Sequence, residues 1–304
     1  MKLKIFAIIC VVLFFGCKKS DEANNQPTQA KNVILLIADG TGISQLSAAF
    51  YFQYETPNYA RFETIGLIYT SSTSHPITDS AAGATAFASG VKTYNGAIGV
   101  NPDSMEVVNL TEIIASKRIK SGLVATSSIT HATPAGFFAH EVDRDFAEEI
   151  AEDMLSANVS YFAGGGLEYF TKRKDGRNLL LELAENRFEV DTTGLKSFSE
   201  IEAYEKAAFL LADDGMPKII EGRGDFLPDA TQLGIDFLNR NGQSFFMMVE
   251  GSQVDWGGHD NDSEYLITEL LDFDDAIGKA LDFAEADGNT LVIVTSDHET
   301  GGFS

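Results

Sequence analysis

Five apolar runs, most of them rich in β-branched residues, recur along this chain, and each ends in a small or acidic residue. The runs are NVILLIADG, GLVATSS, SYFAGGG, SFFMMVEG and TLVIVTSDH. Strands that are apolar along their whole length are buried on both faces, and such strands form parallel sheets when they alternate with helices. The sequence therefore predicts an α/β fold, a three-layer sandwich with a mostly parallel central sheet and helices on both faces.

Helical patterns fill the segments between these runs. The stretches with helical character are DSAAGATAFASG, DFAEEIAEDMLSAN, ATQLGIDFLNRN and DSEYLITELLDFDDAIGKALDFAEA. In the last of them the leucines and isoleucines recur at helical spacing. Chains of 304 residues in the α/β classes commonly form one domain. We predict a single domain over residues 32–304.

The N-terminal residues are predicted to lie outside that domain. Two lysines precede an apolar run that ends at Gly16, and this run is too short to span a bilayer but typical of a signal peptide. The sequence FFGC at its end resembles the lipobox of bacterial lipoproteins. This predicts a signal peptide over residues 1–17 with lipidation of Cys17, followed by a polar tether over residues 18–31.

A plain secretory signal with an incidental cysteine is the alternative to the lipoprotein. Both interpretations imply export. The lipoprotein interpretation predicts a periplasmic, outer-membrane or cell-surface protein whose only membrane contact is its lipid anchor. Because Cys10 and Cys17 are the only cysteines, we expect no disulfide framework in the mature chain.

The charge of the chain restricts its partners. The formal net charge is -23 at pH 7. Such an acidic surface repels nucleic acid and anionic membranes, so we expect no nucleic-acid partner. An anionic substrate would require a local concentration of positive charge, and metal ions could supply it.

Three acidic residues follow or end apolar runs that are predicted to be strands. They are Asp39, Glu250 and Asp297. Ligands of open α/β sheets bind outside the carboxyl ends of the strands, so these acids are predicted to converge at one edge of the sheet. Each of them alone could instead be a helix N-cap or a turn residue.

Ser80 follows Asp79 in the segment TDSAAGATAFASGVKTYNGAIGV and precedes an alanine-rich helix. Its hydroxyl would lie at the first helical turn, where free N–H groups and the helix dipole favour a developing anion. An ordinary N-cap is the alternative, and the local sequence alone favours the cap. A serine nucleophile needs a base or a metal ion, and no obvious histidine base lies beside Ser80.

Histidines and acids cluster in two further segments. In THATPAGFFAHEVDR, Arg144 could bind a phosphate or carboxylate through its two-pronged guanidinium group, although a surface ion pair is the commoner fate of an arginine. In VEGSQVDWGGHDND, Asp255 and His259 have the spacing that places two side chains on one face of a helical turn. Aspartate with histidine favours zinc. A polar loop is the alternative here, because two glycines make a regular helix uncertain.

The five segments ADGTG, TDSAAGATAFASGVKTYNGAIGV, THATPAGFFAHEVDR, VEGSQVDWGGHDND and TSDHETGG, in this order, resemble the alkaline phosphatase family. The similarity runs from about Asn32 to Gly302, and the Ser80 segment is its most specific part. The resemblance outweighs the preference for a simple cap at Ser80. It implies metal-dependent hydrolysis of small phosphate monoesters with two zinc ions and one magnesium ion, and it leaves a homodimer as one option.

Carried over residue by residue, the resemblance implies that Ser80 attacks phosphorus and becomes a phosphoserine. Arg144 would bind two phosphate oxygens. The zinc ion that activates the serine hydroxyl would be held by Asp39, Asp297 and His298.

The same resemblance implies two further metal sites. Asp255 and His259 would hold a second zinc ion, which would stabilise the leaving oxygen and then activate water. Asp39 would also reach a magnesium ion shared with Thr133 and Glu250.

Two departures from the family pattern concern the metal sites. His131 stands where some members have an aspartate near the magnesium. We therefore expect its imidazole to lie beside that ion, and the identity of the third metal stays open. Family members also supply a further histidine to the zinc of Asp255 and His259 from a downstream segment, whereas His298 is the last histidine here. We therefore expect an incomplete second zinc site and missing C-terminal strands.

Two other function classes stay open. Phosphodiesterases and sulfatases of the wider superfamily form one, but they tend to lack the Ser80 helix in this form and the magnesium set that includes Glu250. A lipoprotein that binds metal or phosphate without turnover is the other, and the incomplete second zinc site favours it.

Overall fold

The computed structural model describes residues 30–303, and they form a layered α/β structure around one sheet. Its seven strands are β1 (Asn32–Ala38), β2 (Lys120–Ser128), β3 (Tyr161–Gly165), β4 (Phe188–Asp191), β5 (Lys206–Leu210), β6 (Phe245–Gly251) and β7 (Thr290–Thr295). The strand order is β4-β5-β3-β2-β6-β1-β7, and every pairing is parallel. The predicted signal peptide, Cys17 and most of the tether lie outside the described residues.

Eleven α-helices connect and cover these strands in residues 30–303. They are α1 (Ile43–Phe52), α2 (Ser80–Ser89), α3 (Leu110–Ala115), α4 (Ala132–Ala135), α5 (Ala147–Asp153), α6 (Leu167–Thr171), α7 (Leu179–Glu185), α8 (Phe198–Ile201), α9 (Phe226–Asn239), α10 (Gln253–Asp260) and α11 (Ser263–Asp287). None of these helices combines the length and the apolar composition that crossing a bilayer requires.

The two faces of the sheet carry separate hydrophobic cores. Alternate residues of β1 point to opposite sides, so that Leu36 packs in the core beneath α9 and α11 whereas Ile37 packs in the core of the other face. The second core includes apolar residues of α2, α5 and α7. This arrangement confirms the predicted three-layer α/β fold with a parallel sheet.

All five predicted strands are present, and β4 and β5 extend the sheet on one side. The order of the strands decides where the site lies, because β1 is hydrogen-bonded to β6 on one side and to β7 on the other. In register, Ile37 pairs with Glu250 on β6 and with Thr295 on β7. The carboxyl ends of three neighbouring strands therefore meet at one edge of the sheet.

Candidate active site

The three strand-end acids lie together in the interior at this edge of the sheet. Asp39 follows β1, Glu250 is the penultimate residue of β6, and Asp297 follows β7; all three are buried. The backbone N–H of Gly40 donates to Oδ1 of Asp297 at 3.2 Å, which ties the turn after β1 to the turn after β7. The predicted convergence of these acids is thus present in the structure.

Gly40 lets a fourth acid approach these three. Its φ of +65° lies in the left-handed region, and a Cβ at this position would lie 2.4 Å from Oδ1 of Asp255. Only glycine combines that backbone conformation with so close a contact. The turn after β1 can therefore lie directly against α10, which carries Asp255.

Ser80 is the first residue of α2, and its neighbour performs the capping role. Oδ1 of Asp79 accepts the N–H of Ala82 at 3.0 Å, so Asp79 is the N-cap. The Ser80 hydroxyl is left free for other contacts. Its Oγ lies 3.3 Å from both carboxylate oxygens of Asp39 and 3.3 Å from Nε2 of His298.

His298 completes a cluster of ligand-type atoms around Ser80. Its Nε2 lies 3.5 Å from Oδ1 of Asp39 and 3.5 Å from Oδ2 of Asp297. A wider group contains one ligand-type atom from each of Asp39, Asp255 and His298, and these three atoms all lie within 4.8 Å of one another. Within residues 30–303, Oδ2 of Asp297 is buried without a hydrogen-bond partner. An unpartnered buried carboxylate oxygen beside an imidazole nitrogen fits a divalent cation.

Asp255 and His259 lie on α10, which is a regular helix despite Gly257 and Gly258. Both glycines are close-packed, with Gly257 against the backbone of Leu266 and Gly258 against that of Thr300. Nε2 of His259 lies 3.5 Å from Oδ2 of Asp255, as the spacing predicted. The His259 side chain is 70 % exposed, so this pair is the most open part of the site.

A second group of ligand-type atoms lies deeper in the sheet. Single ligand-type atoms of Asp39, His131 and Glu250 fall within 4.8 Å of one another. In the described part of the chain, Oε1 of Glu250, Oγ1 of Thr133 and Nδ1 of His131 are buried and lack hydrogen-bond partners. Oε2 of Glu250, in contrast, accepts from the hydroxyl of Ser252 at 2.6 Å.

The electrostatics of this interior are unfavourable without a cation. Burial, and then the neighbouring charges of Asp297, Asp255 and Glu250, raise the pKa of Asp39 well above its usual range. Burial also raises the pKa of Glu250 to about 7. Several carboxylates that share a dry site cannot all ionise at low cost, whereas divalent cations would neutralise them.

Arg144 lies at the mouth of the site and is held by two neighbours. Its Nη1 donates to Oδ2 of Asp79 at 3.2 Å, and its Nη2 lies 3.0 Å from Nε2 of His131. Burial, followed by the charge of Arg144, lowers the pKa of His131 to about 3. Because a guanidinium group can only donate, Nε2 of the neutral His131 accepts, and the ring proton lies on Nδ1.

The remaining histidines lie apart from the site. Nδ1 of His140 hydrogen-bonds to the carbonyl oxygen of Gly99 at 2.8 Å, and His75 is exposed. Two residues of the site were not indicated by the sequence motifs: Asp79 was named only as the neighbour of Ser80, and Thr300 was given no role. The position of Asp79 immediately before a helix could have indicated its capping role, but its pairing with Arg144 depends on the tertiary structure.

An open pocket of about 490 Å³ lies above these side chains. Its lining includes Ser80, Arg144, Asp255, His259 and His298. A hydroxyl, a guanidinium group and the candidate metal ligands thus face one space that is accessible to solvent. A small anionic ester fits such a pocket.

Comparisons with known proteins agree with this arrangement. The family described as Alkaline phosphatase matches residues 30–304. The chain is 40 % identical to Alkaline phosphatase 3 of Bacillus subtilis over 91 % of its own length and 62 % of that protein. It is 30 % identical to the alkaline phosphatase of Escherichia coli over 91 % of its length and 71 % of that protein. The chain thus spans less than two thirds of the Bacillus relative.

Solved structures give the same result. The alkaline phosphatase of the Antarctic bacterium TAB5 is 59 % identical, with a TM-score of 0.90 over 90 % of this chain and 80 % of that one. A variant of that enzyme with a histidine replaced by aspartate has Mg bound in its M3 site. The alkaline phosphatase of Thermus thermophilus is 28 % identical, with a TM-score of 0.79 over 90 % of this chain and 60 % of that one.

Proposed function

Because this chain belongs to the alkaline phosphatase family, we propose that it hydrolyses small phosphate monoesters with bound metal ions and through a phosphoserine at Ser80. The observation that carries the proposal is the environment of the Ser80 hydroxyl. It lies at the start of a helix and 3.3 Å from both Asp39 oxygens and from the His298 imidazole. A serine so placed is surrounded by groups that can hold an activating cation.

The proposed metal content is two zinc ions and one magnesium ion. Asp39, Asp297 and His298 would hold the zinc nearest Ser80, and the unpartnered Oδ2 of Asp297 supports this. Asp255 and His259 would hold the other zinc. The mixture of carboxylates and imidazoles suits zinc at both positions.

The deeper group suits a harder cation. Asp39, Thr133 and Glu250 offer oxygen atoms, which magnesium prefers, and two of those oxygens are buried without partners in the described residues. With its ring proton on Nδ1 and Nε2 occupied by Arg144, His131 would lie beside this ion without ligating it through Nδ1. The magnesium reported for the TAB5 variant supports a third ion in this fold.

Bound metal ions would lower the pKa of the serine hydroxyl and neutralise charge on the phosphoryl group. The Ser80 oxygen then forms a bond to phosphorus as the bond from phosphorus to the ester oxygen breaks, and the departing alcohol takes up a proton. Water subsequently attacks the phosphoserine, which releases inorganic phosphate and restores the hydroxyl. Arg144 would bind two phosphoryl oxygens, since Asp79 and His131 already fix the direction of its guanidinium group.

Metal removal tests the proposal directly. We expect the purified protein to contain zinc by elemental analysis and to hydrolyse p-nitrophenyl phosphate. A chelator should remove the metal and the hydrolysis together, and added zinc should restore both. Added calcium should restore little, because it prefers a shell made only of oxygen ligands. Undiminished turnover by the metal-free protein would exclude the mechanism.

One observation favours a second candidate function. The side chain of His259 is 70 % exposed and its Nε2 lies 3.5 Å from Oδ2 of Asp255, so a metal ion held by this pair would be open to solvent. A protein that binds metal and phosphate without turnover would fit this weaker position. Zinc binding without hydrolysis in the experiment above would identify that function.

We also propose that the chain forms a homodimer. Apolar side chains are exposed along α1 and the segment that follows it, including Ile65 at 89 % and Leu67 at 94 % exposure. Ile65, Leu67 and Ile68 are thus all more than half exposed within four residues, and exposed apolar patches commonly mark interaction surfaces. A second copy of the same acidic protein is a suitable occupant, because the apolar stretch Ile65–Ile68 carries no charge that would repel its own copy.

Disrupting this surface should produce monomers. Leu67→Asp would place a charge in the apolar contact, and we expect light scattering to change from twice the chain mass to one chain mass, with dissociation at least about 100-fold easier. Leu181→Asp is the matched control, because Leu181 is an exposed leucine on α7. A native protein that is monomeric at micromolar concentration would refute the dimer.

Export and lipid anchoring through Cys17 remain proposals from the sequence. The apolar run followed by FFGC supports them. Metabolic labelling with a radioactive fatty acid should label the native chain and leave a Cys17→Ser variant unlabelled. Equal labelling of the two would contradict an anchor at this cysteine.

A further inference from the structure

Gln45 is a buried polar residue in the first turn of α1, and its carboxamide is fully used. Its Oε1 accepts the N–H of Gly42 at 3.0 Å, which is a capping contact at the start of the helix. Its Nε2 donates to the carbonyl oxygen of Thr300 at 2.8 Å and to Oε1 of Glu299 at 3.3 Å. One amide group thus connects α1 to the turn that follows His298.

Thr300 connects the two proposed zinc positions. Its hydroxyl donates to Oδ1 of Asp255 at 2.5 Å, and the hydroxyl oxygen of Thr300 also lies 3.2 Å from Nδ1 of His298. A hydroxyl has one proton, so when that proton goes to the Asp255 carboxylate the oxygen must accept from Nδ1–H of His298. Nε2 is then left with its lone pair, on the side that faces Ser80 and Asp39.

The backbone of Thr300 is held at both of its polar groups. Its N–H donates to the carbonyl oxygen of Gly40 at 2.9 Å, and its carbonyl oxygen accepts from Gln45. The start of α1 is also packed tightly against this turn, since a Cβ on Gly42 would lie 2.4 Å from the side chain of Glu299. The position of the Thr300 hydroxyl therefore depends on α1 as well as on β1.

We propose that Gln45 is a positioning residue for both zinc sites and that it acts through Thr300. Gln45 holds the turn, the Thr300 hydroxyl then orients Asp255, and the same hydroxyl selects the tautomer of His298 that can ligate a metal through Nε2. This inference rests on the zinc assignment proposed above. Groups that orient metal ligands in this way typically contribute 10–100-fold to metal affinity or activity.

Gln45→Met is the first variant to measure, because methionine is similar in length and fills the buried space without the hydrogen bonds. We expect zinc affinity, measured by competition with a chromophoric chelator, to fall by roughly 10–100-fold. For p-nitrophenyl phosphate, kcat should fall while KM changes little, since the pocket lining is left in place. Gln232→Met is the matched control, because Gln232 is half-buried on α9 and, among the described residues, its side chain hydrogen-bonds only to Asp236.

A double-mutant cycle tests whether Gln45 acts through Thr300. Thr300→Val removes the hydroxyl and should also weaken zinc binding roughly 10–100-fold, whereas Thr300→Ser should retain native affinity. In the Thr300→Val background, Gln45→Met should add less than about threefold, because residues that act in one network are not additive. Fully additive losses, or a Thr300→Ser variant as weak as Thr300→Val, would overturn the proposal.

A further variant covers the case in which Gln45→Met does not fold. Gln45→Glu keeps an acceptor for the N–H of Gly42 but places a carboxylate against the carbonyl oxygen of Thr300. Zinc binding should again be weakened, and native or tighter binding would contradict the inference. If the native chain itself binds no zinc, the proposed function fails; if the native chain binds zinc and the Gln45 variants match it, only this inference fails.

Discussion

Replacing Ser80 by alanine should abolish phosphoryl transfer while leaving the fold and the metal content in place. Asp79 caps α2, and alanine is a better helix former than serine, so the helix should be retained. Turnover should fall by on the order of 10⁴-fold or more, as expected when a nucleophile is lost. The measurement is acid quench after brief incubation with a phosphate ester labelled at phosphorus, followed by counting the label on protein.

Ser89→Ala provides the matched control for that experiment. Ser89 lies in the last turn of the same helix, where its hydroxyl donates to the carbonyl oxygen of Thr85 at 2.6 Å. We expect labelling and turnover by this variant to equal those of the native chain. Covalent label that persists in Ser80→Ala would show that another residue is the nucleophile.

Asp39→Asn should have opposite effects on the metal-bound and the metal-free protein. Asp39 belongs to both groups of ligand-type atoms, so its loss should remove zinc binding and hydrolysis together. Without metal, however, asparagine replaces a buried acid whose ionisation is opposed by burial and by three other carboxylates. We expect the metal-free variant to be more stable than the metal-free native chain by on the order of 1–3 kcal/mol.

The pH dependence of the metal-free protein follows from the same carboxylates. Burial and neighbouring charges raise the pKa of Asp39 above its usual range, and burial raises the pKa of Glu250 to about 7. Each group therefore binds its proton more tightly in the folded than in the unfolded chain. The associated stability is complete below the ordinary carboxyl pKa and is lost as the pH rises through the raised values.

Urea unfolding of the metal-free protein measures both effects. The free energy of unfolding should decrease as the pH rises from the ordinary carboxyl pKa of 4.5 to the raised value of about 7 for Glu250, and the decrease should be smaller for Asp39→Asn than for the native chain. Asp103→Asn, at an exposed turn, should behave like the native chain. A metal-free Asp39→Asn protein that is less stable than the native one would show that the carboxylate contributes more through its hydrogen bonds than it costs.

The sheet was predictable wherever burial dictates an unbroken apolar run. β1, β6 and β7 are read directly from NVILLIADG, SFFMMVEG and TLVIVTSDH. β4 and β5 were not predicted, because FEVD and KAAFL are short and each contains at least one charged residue. Strand order was also not available from local patterns, since it is decided by which faces the helices cover.

The site was predictable in its ligand types but not in its supporting contacts. The strand-end positions indicated Asp39, Glu250 and Asp297, because parallel strands end at one edge. The regular helix at Asp255 and His259 was uncertain from sequence, because the two glycines weaken a helix unless close packing requires them. The network of Gln45 and Thr300 joins residues 255 positions apart, which no local pattern reveals.

The position of β1 between β6 and β7 has a consequence for folding during synthesis. β1 leaves the ribosome early, but both strands that pair with it come from the last quarter of the sequence; Asn32 and Phe245 are 213 residues apart. At a synthesis rate of 5–20 residues per second, β1 remains without a pairing strand on either side for roughly 10–40 s, until β6 has been synthesised. Such a strand is prone to pair with other chains, so a factor that shields nascent apolar segments should increase the yield of folded protein.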